Sequence, residues 1–320
     1  MKIKTEIIIT RRTADGDEVL RSAAEDVQIV GGNAEGFRSM ADLASPHAES
    51  CIYCDSTGKR TSEHVLPYAW GGIVQIHGGS CEECQRITQA FEGQALNDGA
   101  MAHVRKALGL QSRTRHRKVV SPVETRIVGA DGQPLAPVEG VEPPIIMGLP
   151  LFSKPGLISG DGTRVELEFQ GMGAVAFGGD LTEFFDGQSE VVVTQQESGK
   201  RIMAFARTIA KIAYGWAWRD GVIQRLGGAP ALVNAFMHKP EKLGAFLGAK
   251  PQPYERFPGM TMRIEYKLSM PRQLVYLEVQ MFAETGAPTY EVVLGQVADM
   301  RAWRKLQPSF ANFAGPSVGG

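Results

Sequence analysis

Every cysteine of the 320-residue chain falls between positions 51 and 84, in two C-x-x-C pairs, Cys51 with Cys54 and Cys81 with Cys84. Zinc takes four soft ligands at tetrahedral corners, and each C-x-x-C turn brings two sulfurs to one side of the ion. Between the pairs lie 26 residues, 55 through 80, enough chain to carry a hairpin out and back. Two disulfides in an exported protein, or a redox dithiol, are the competing readings. The opening MKIKTEIIITRRT has an apolar run too short and too interrupted by charge for an export signal. In the reducing cytoplasm expected for this chain, clustered thiols favour metal. Structural zinc on Cys51, Cys54, Cys81 and Cys84 is therefore the expectation. Between the pairs stands Glu63-His64, an acid beside the side chain that titrates closest to neutral pH.

The elements that would hold these residues are partly legible. SEHVL and GIVQIH read as short strands separated by PYAWGG, a turn-rich loop. Ser80-Cys81-Glu82-Glu83 matches a capping box, and Cys84, Ile87, Phe91 and Ala95 follow at helical spacing. Hairpin then helix is the predicted order, with Cys81 and Cys84 in the first helical turn, where the positive dipole end favours thiolates.

These residues resemble the HNH endonucleases of the ββα-metal class, in the subgroup with four zinc cysteines. The likeness rests on Cys51-x-x-Cys54, Glu63-His64, Pro67, Gly71-Gly72 and Cys81-x-x-Cys84, in that order. SCEECQRITQAFEGQAL also looks like a bacterial and phage subgroup with an I-T-x-x-F-E signature, and AKIAYGWA (210–217) is similar to it more weakly. The resemblance covers about residues 51–118. It implies a metal-dependent endonuclease that hydrolyses phosphodiester bonds, with DNA as the expected partner. His64 would be the general base, and Glu63 a ligand of a catalytic Mg2+ or Mn2+ ion.

That chemistry needs an activated water and a cation that neutralises charge developing at phosphorus. Neighbouring residues on a regular strand point to opposite faces, so irregular backbone is required for Glu63 and His64 to share one site. The family places Asn or His after the second C-x-x-C as a further metal ligand, and here that position is Gln85. Gln89 and Glu92 lie on the same helix face as Gln85. Glu92 sits about 10 Å further along the axis and serves as a reserve ligand. His77, at a strand end, is a weaker candidate for the site.

Around this unit the chain divides into a strand-containing extension (1–47), the zinc-braced unit (48–118), a Pro/Gly-rich connection (119–162) and an α+β domain (163–320). The fold class expected is α+β, a zinc-braced ββα-metal unit plus a larger carboxyl-terminal α+β domain. In the first segment KIKTEIII reads as a strand, while periodicity leaves DGDEVLRSAAEDV open between helix and strand. In the last, RVELEF, AVAF and EVVVTQ read as strands, followed by a long amphipathic helix near 202–216. A helical stretch covers about 230–247, and MTMRIEYKL, LVYLEVQMF and TYEVVLGQV read as further strands.

Hydrophobic content of 43%, charged content of 22% and net charge of −1 suit a folded chain that is no polycation. Nothing in it is long and apolar enough to span a bilayer. Any nucleic-acid surface must come from local charge. Residues 99–118 supply Arg105, Lys106, Arg113, Arg115, Arg117 and Lys118 with no acid among them. Arg207, Lys211, Tyr214 and Trp218 form a second basic-aromatic stripe, which suits base stacking or ordinary domain packing. The alternative to a nuclease is a non-catalytic zinc-braced module that binds nucleic acid or a nucleotide, favoured by Gln85 standing where Asn or His is usual.

Overall fold

The computed structural model describes residues 2–13, 16–25, 28–29, 45–70, 72, 74–96, 126–129, 133, 145–161, 164–177, 190–251, 255–257 and 262–297. The protein is a mixed α+β structure. Strand β1 (Lys2–Thr13) forms a hairpin with β2 (Gly16–Glu25), so the segment left open by periodicity is a strand. A two-residue strand β3 (Gln28–Ile29) follows. The four-cysteine unit then gives β4 (Arg60–His64), β5 (Gln75–Cys81) and helix α1 (Glu82–Leu96), in the predicted order.

The capping box is not formed. Antiparallel pairing of Thr61 with Ser80 and Arg60 with Cys81 keeps the backbone extended through Cys81. The Ser80 hydroxyl donates to the Cys81 carbonyl (3.3 Å), and α1 begins only at Glu82. The apolar face of α1 is as expected, with Cys84, Phe91 and Ala95 buried and Ile87 packed beside them.

Strands β6 (Arg126–Gly129), β7 (Ile145–Phe152), β8 (Phe169–Phe177) and β9 (Glu190–Ser198) lead into the second half. The Pro/Gly-rich connection therefore contains strands rather than only irregular chain. Pro150 is tolerated in β7 because that strand lies at the edge of the sheet ordered β3-β8-β7. RVELEF is mostly not strand; β8 starts at its last residue. β1 pairs in parallel with β9, and β6 antiparallel to β9, giving the order β2-β1-β9-β6.

Helix α2 (Gly199–Arg219) is the hub. Its start is fixed by Ser198, whose hydroxyl oxygen accepts from the Arg201 N–H (3.2 Å), an N-cap. Its end comes at Asp220 and Gly221, the latter at φ 72°. From Ala204 to Ala217 nearly every side chain of α2 is buried, the signature of a helix enclosed on all sides. Helix α3 (Pro230–Met237) follows, and a 3-10 turn (Pro240–Ala245) leads to β10 (Leu247–Ala249). Strands β11 (Met262–Ser269), β12 (Leu274–Met281) and β13 (Thr289–Gln296) complete an antiparallel sheet ordered β10-β13-β12-β11.

One contiguous apolar core links the four-cysteine unit to the second half. Trp70 meets Phe205 edge-on (6.2 Å between ring centroids), and Tyr53 lies against Tyr214 (5.8 Å) and Phe236 (5.9 Å). Phe205 in turn packs on Tyr290 (5.4 Å), whose hydroxyl donates to the Pro150 carbonyl (2.9 Å). Among the described residues, no helix is long and apolar enough to cross a membrane.

Candidate functional site

The four cysteines converge. Sγ of Cys51, Cys54, Cys81 and Cys84 all lie within 4.8 Å of one another, placed to hold a metal ion such as zinc. The first knuckle is shaped by a turn in which the Asp55 N–H donates to the Cys51 carbonyl (2.9 Å), with Asp55 at φ 59°. The Cys51 N–H donates to the Ser56 carbonyl (2.8 Å). The second knuckle is the junction of β5 and α1. Cys51 and Cys84 are buried, Cys81 is half-buried and Cys54 is exposed. Burial, the Cys51 charge and the neighbouring thiols push the Cys84 thiol well up. Such a thiol ionises readily only when a cation arrives, and a tetrahedral S4 set fits zinc.

The hairpin between the knuckles is irregular just before Glu63, not at the Glu63-His64 pair, where irregular backbone is needed to bring both residues to one site. Thr61 pairs with Ser80 but Glu63 pairs with Ile76, so the register shifts between them. Gly79 sits in this bulge, where a Cβ would come within 3.0 Å of the Glu63 Cβ and 2.9 Å of the Ile76 carbonyl oxygen. Gly72 in the connecting loop is tighter still, since a Cβ there would lie 1.9 Å from the Leu66 carbonyl oxygen. Both positions exclude any larger residue without movement of backbone.

Glu63 and His64 then lie in register with Ile76 and Gln75, on opposite faces of β4. Glu63 turns inward and is 5% exposed, while His64 is half-buried with its ring 5.8 Å from that of Tyr68. The Glu63 carboxylate meets Lys211 of α2, with Nζ 2.6 Å from Oε1. The same Nζ is 2.8 Å from Glu92 Oε1 on α1 and donates to the His64 backbone carbonyl. Lys211 is 0% exposed. Burial alone would lower its pKa, but the two carboxylates outweigh burial and hold it above the usual lysine value. Glu92 moves the other way for a carboxylate that is paired. Burial and the charge of Glu63 raise it against the pull of Lys211.

The site residues read from the sequence are therefore distributed as follows. The zinc thiols come together. Gln85 is half-buried in the first turns of α1, just past Cys84. Glu92 joins Glu63 through Lys211 rather than joining Gln85. His77 is exposed and shares a hydrogen bond with Ser62 (Nδ1 to Oγ, 3.1 Å), and its backbone forms a bridge with His47. Arg105, Lys106, Arg113, Arg115, Arg117 and Lys118 lie outside the described residues.

The second basic-aromatic stripe is packing, not a docking surface. Arg207 donates from Nε to the Phe236 carbonyl (2.6 Å) and from Nη2 to the Met237 carbonyl (2.9 Å), and its guanidinium lies 4.4 Å from the Phe91 ring centroid. Tyr214 is buried, Trp218 packs against the core, and Lys211 is enclosed. Lys211 is the residue whose role was missed. Its signal was present, because AKIAYGWA places a lysine inside the apolar face of a helix, where a charge persists only with partners. No family model, no curated protein and no solved structure matches the chain.

Proposed function

We propose that this protein is a metal-dependent endonuclease of the HNH kind, hydrolysing phosphodiester bonds in DNA. The observation that carries this reading is the four-thiol cluster closing around the order β4, β5, α1 with His64 at the end of β4. The half-buried imidazole takes a proton from the attacking water. Behind it two carboxylates, Glu63 and Glu92, share the Lys211 ammonium, and burial, with the Glu63 charge adding to it, raises Glu92 against the pull of Lys211. By the resemblance, Glu63 and the Gln85 amide oxygen are the groups that would hold Mg2+ or Mn2+, in competition with the Lys211 ammonium that already pairs Glu63. Such an ion, when bound, supplies positive charge to the scissile phosphate.

A second reading is favoured by the same strand. Because Glu63 faces Lys211 and His64 faces away, the pair also fits a zinc-braced module that binds nucleic acid or a nucleotide without cutting it. Cleavage of supercoiled plasmid separates the two. Wild-type protein with Mg2+ or Mn2+ is expected to nick it, and His64→Ala to lose that activity with zinc content unchanged. Intact plasmid under every divalent metal, with binding retained, selects the non-catalytic module.

A further inference from the structure

We propose that Cys54 and Cys81 form a peroxide-sensitive modification site, in which Cys54 meets the oxidant and Cys81 closes a disulfide onto it. The four thiols are not equivalent. Cys51 and Cys84 belong to the apolar core, at 0% and 4% exposure, and Cys81 packs half-buried against it. Cys54 alone of the four is exposed. Oxidation of a thiolate follows access, so a small oxidant reaches Cys54 first. The resolving sulfur is set by geometry. Cys54 Sγ and Cys81 Sγ share a hydrogen bond at 3.6 Å, across 27 positions of sequence. A disulfide spans about 2.05 Å between sulfurs, so closure needs roughly 1.5 Å of approach. The exposed turn that carries Cys54 can supply it. Cys51, the other sulfur of that knuckle, is held back by the core and by its backbone bonds to Asp55 and Ser56.

The electrons balance with hydrogen peroxide as the only co-reactant. The Cys54 thiolate attacks one peroxide oxygen, the O–O bond breaks, and hydroxide leaves to give a sulfenic acid. The Cys81 thiolate attacks the Cys54 sulfur, the S–O bond breaks, and a second hydroxide leaves. Two thiolates give up two electrons in total, which reduce the peroxide to two hydroxides. Cys51 and Cys84 are then the remaining donors, two where zinc takes four, so the site loses its hold on the metal. The disulfide joins the first knuckle to the end of β5, the same two segments that a shared metal would join. Neither step uses Glu63 or His64, so the assignment is independent of the endonuclease reading.

The test treats full-length, zinc-loaded protein with hydrogen peroxide in the presence of a chromogenic zinc chelator. Samples are then alkylated, digested without reduction and mapped by mass spectrometry. The expected result is a Cys54–Cys81 cross-link as the main disulfide, appearing in step with loss of zinc. A main product within one knuckle, joining Cys51 to Cys54 or Cys81 to Cys84, overturns the proposal. So does over-oxidised Cys54 with Cys81 still reduced, or a chain that keeps its zinc and forms no disulfide in peroxide that oxidises free glutathione. Timed alkylation of untreated protein reads the order of access without any variant. Cys54 is expected to be labelled first and Cys51 and Cys84 last, and any other order counts against the assignment. Where the purified chain carries no zinc, the disulfide map of the reduced protein decides alone.

Discussion

Tyr214 on α2 donates its hydroxyl hydrogen to the backbone carbonyl of Ile52, the residue directly after the first cysteine of the four-thiol cluster. The two lie 162 positions apart in sequence, and both are buried. Tyr214→Phe keeps the ring against Tyr53 and Phe236 but leaves the Ile52 carbonyl without its donor. A cost of about 1–3 kcal/mol is expected from stranding a buried acceptor. Urea unfolding would measure it, and zinc release by a chelator should be faster in the variant.

Lys211 gives the largest expected effect on stability. Lys211→Met leaves two carboxylates facing an apolar side chain, and loss of one member of a buried ionic group costs roughly 3–5 kcal/mol. Adding Glu63→Leu and Glu92→Leu to that variant should restore most of the loss, since no charge then remains to be desolvated. Thermal unfolding of the single and triple variants checks this. A triple variant less stable than the single one would show that packing, not charge, dominates the site.

Zinc removal should loosen the knuckle ends of the hairpin, while its packing on α2 remains. The thiols join the Cys51–Ser56 turn to the start of α1 directly, beside the Ile52 N–H that donates to the Gly79 carbonyl (2.9 Å), so metal-binding free energy contributes to folding free energy here. Cys84→Ser is expected to abolish stoichiometric zinc, and chelation of wild type should release amide protection at the two knuckles. Hydrogen exchange read by mass spectrometry reports both.

The carboxyl-terminal sheet carries a separate prediction in pH. Glu291 on β13 stands directly opposite Glu278 on β12, and both are 3% exposed. Burial raises the Glu291 pKa; Lys154 and Lys250 oppose this, while the Glu278 charge adds to it. A carboxyl group whose folded value is raised is most favourable below its unfolded value, and its contribution is lost as pH rises through the folded value. Glu291→Gln should therefore stabilise the protein at pH 8, with the gain shrinking towards pH 4. Melting temperatures across that range test the sign.

Glycine at position 72 is held by sterics alone. Gly72→Ala sets a methyl group on the Leu66 carbonyl, while Gly58→Ala meets its nearest atom, Ser56 Oγ, at 3.6 Å. The first is expected to destabilise well beyond the second, which serves as its control in thermal unfolding.

How much of this was legible in the sequence depended on the range of the interactions. Cysteine spacing located the four-thiol cluster, because four soft ligands leave few alternatives. Period-two and period-3.6 patterns located β11, β12, β13 and α2. The Ser80 capping box failed because cross-strand pairing of Ser80 with Thr61, a contact between residues 19 apart, overrode a local signal. The meaning of Glu63 depended on α2, far along the chain. An acid beside a histidine reads as a metal ligand when only its neighbours are visible. The lysine that shares its carboxylate could be found only by knowing which face of α2 meets β4. Pro150 misled for a similar reason, since a proline marks a loop unless the strand around it is known to be an edge.

The shared core has an implication for anyone hoping to transplant the cysteine unit into another scaffold. Excised near residue 118, it would present Tyr53, Trp70 and Phe91 to water where Tyr214, Phe205 and Arg207 now cover them. It would also bare Glu63 and Glu92, which Lys211 now pairs. This unit is not a portable cassette; whatever it does, it does as the outer wall of a larger body.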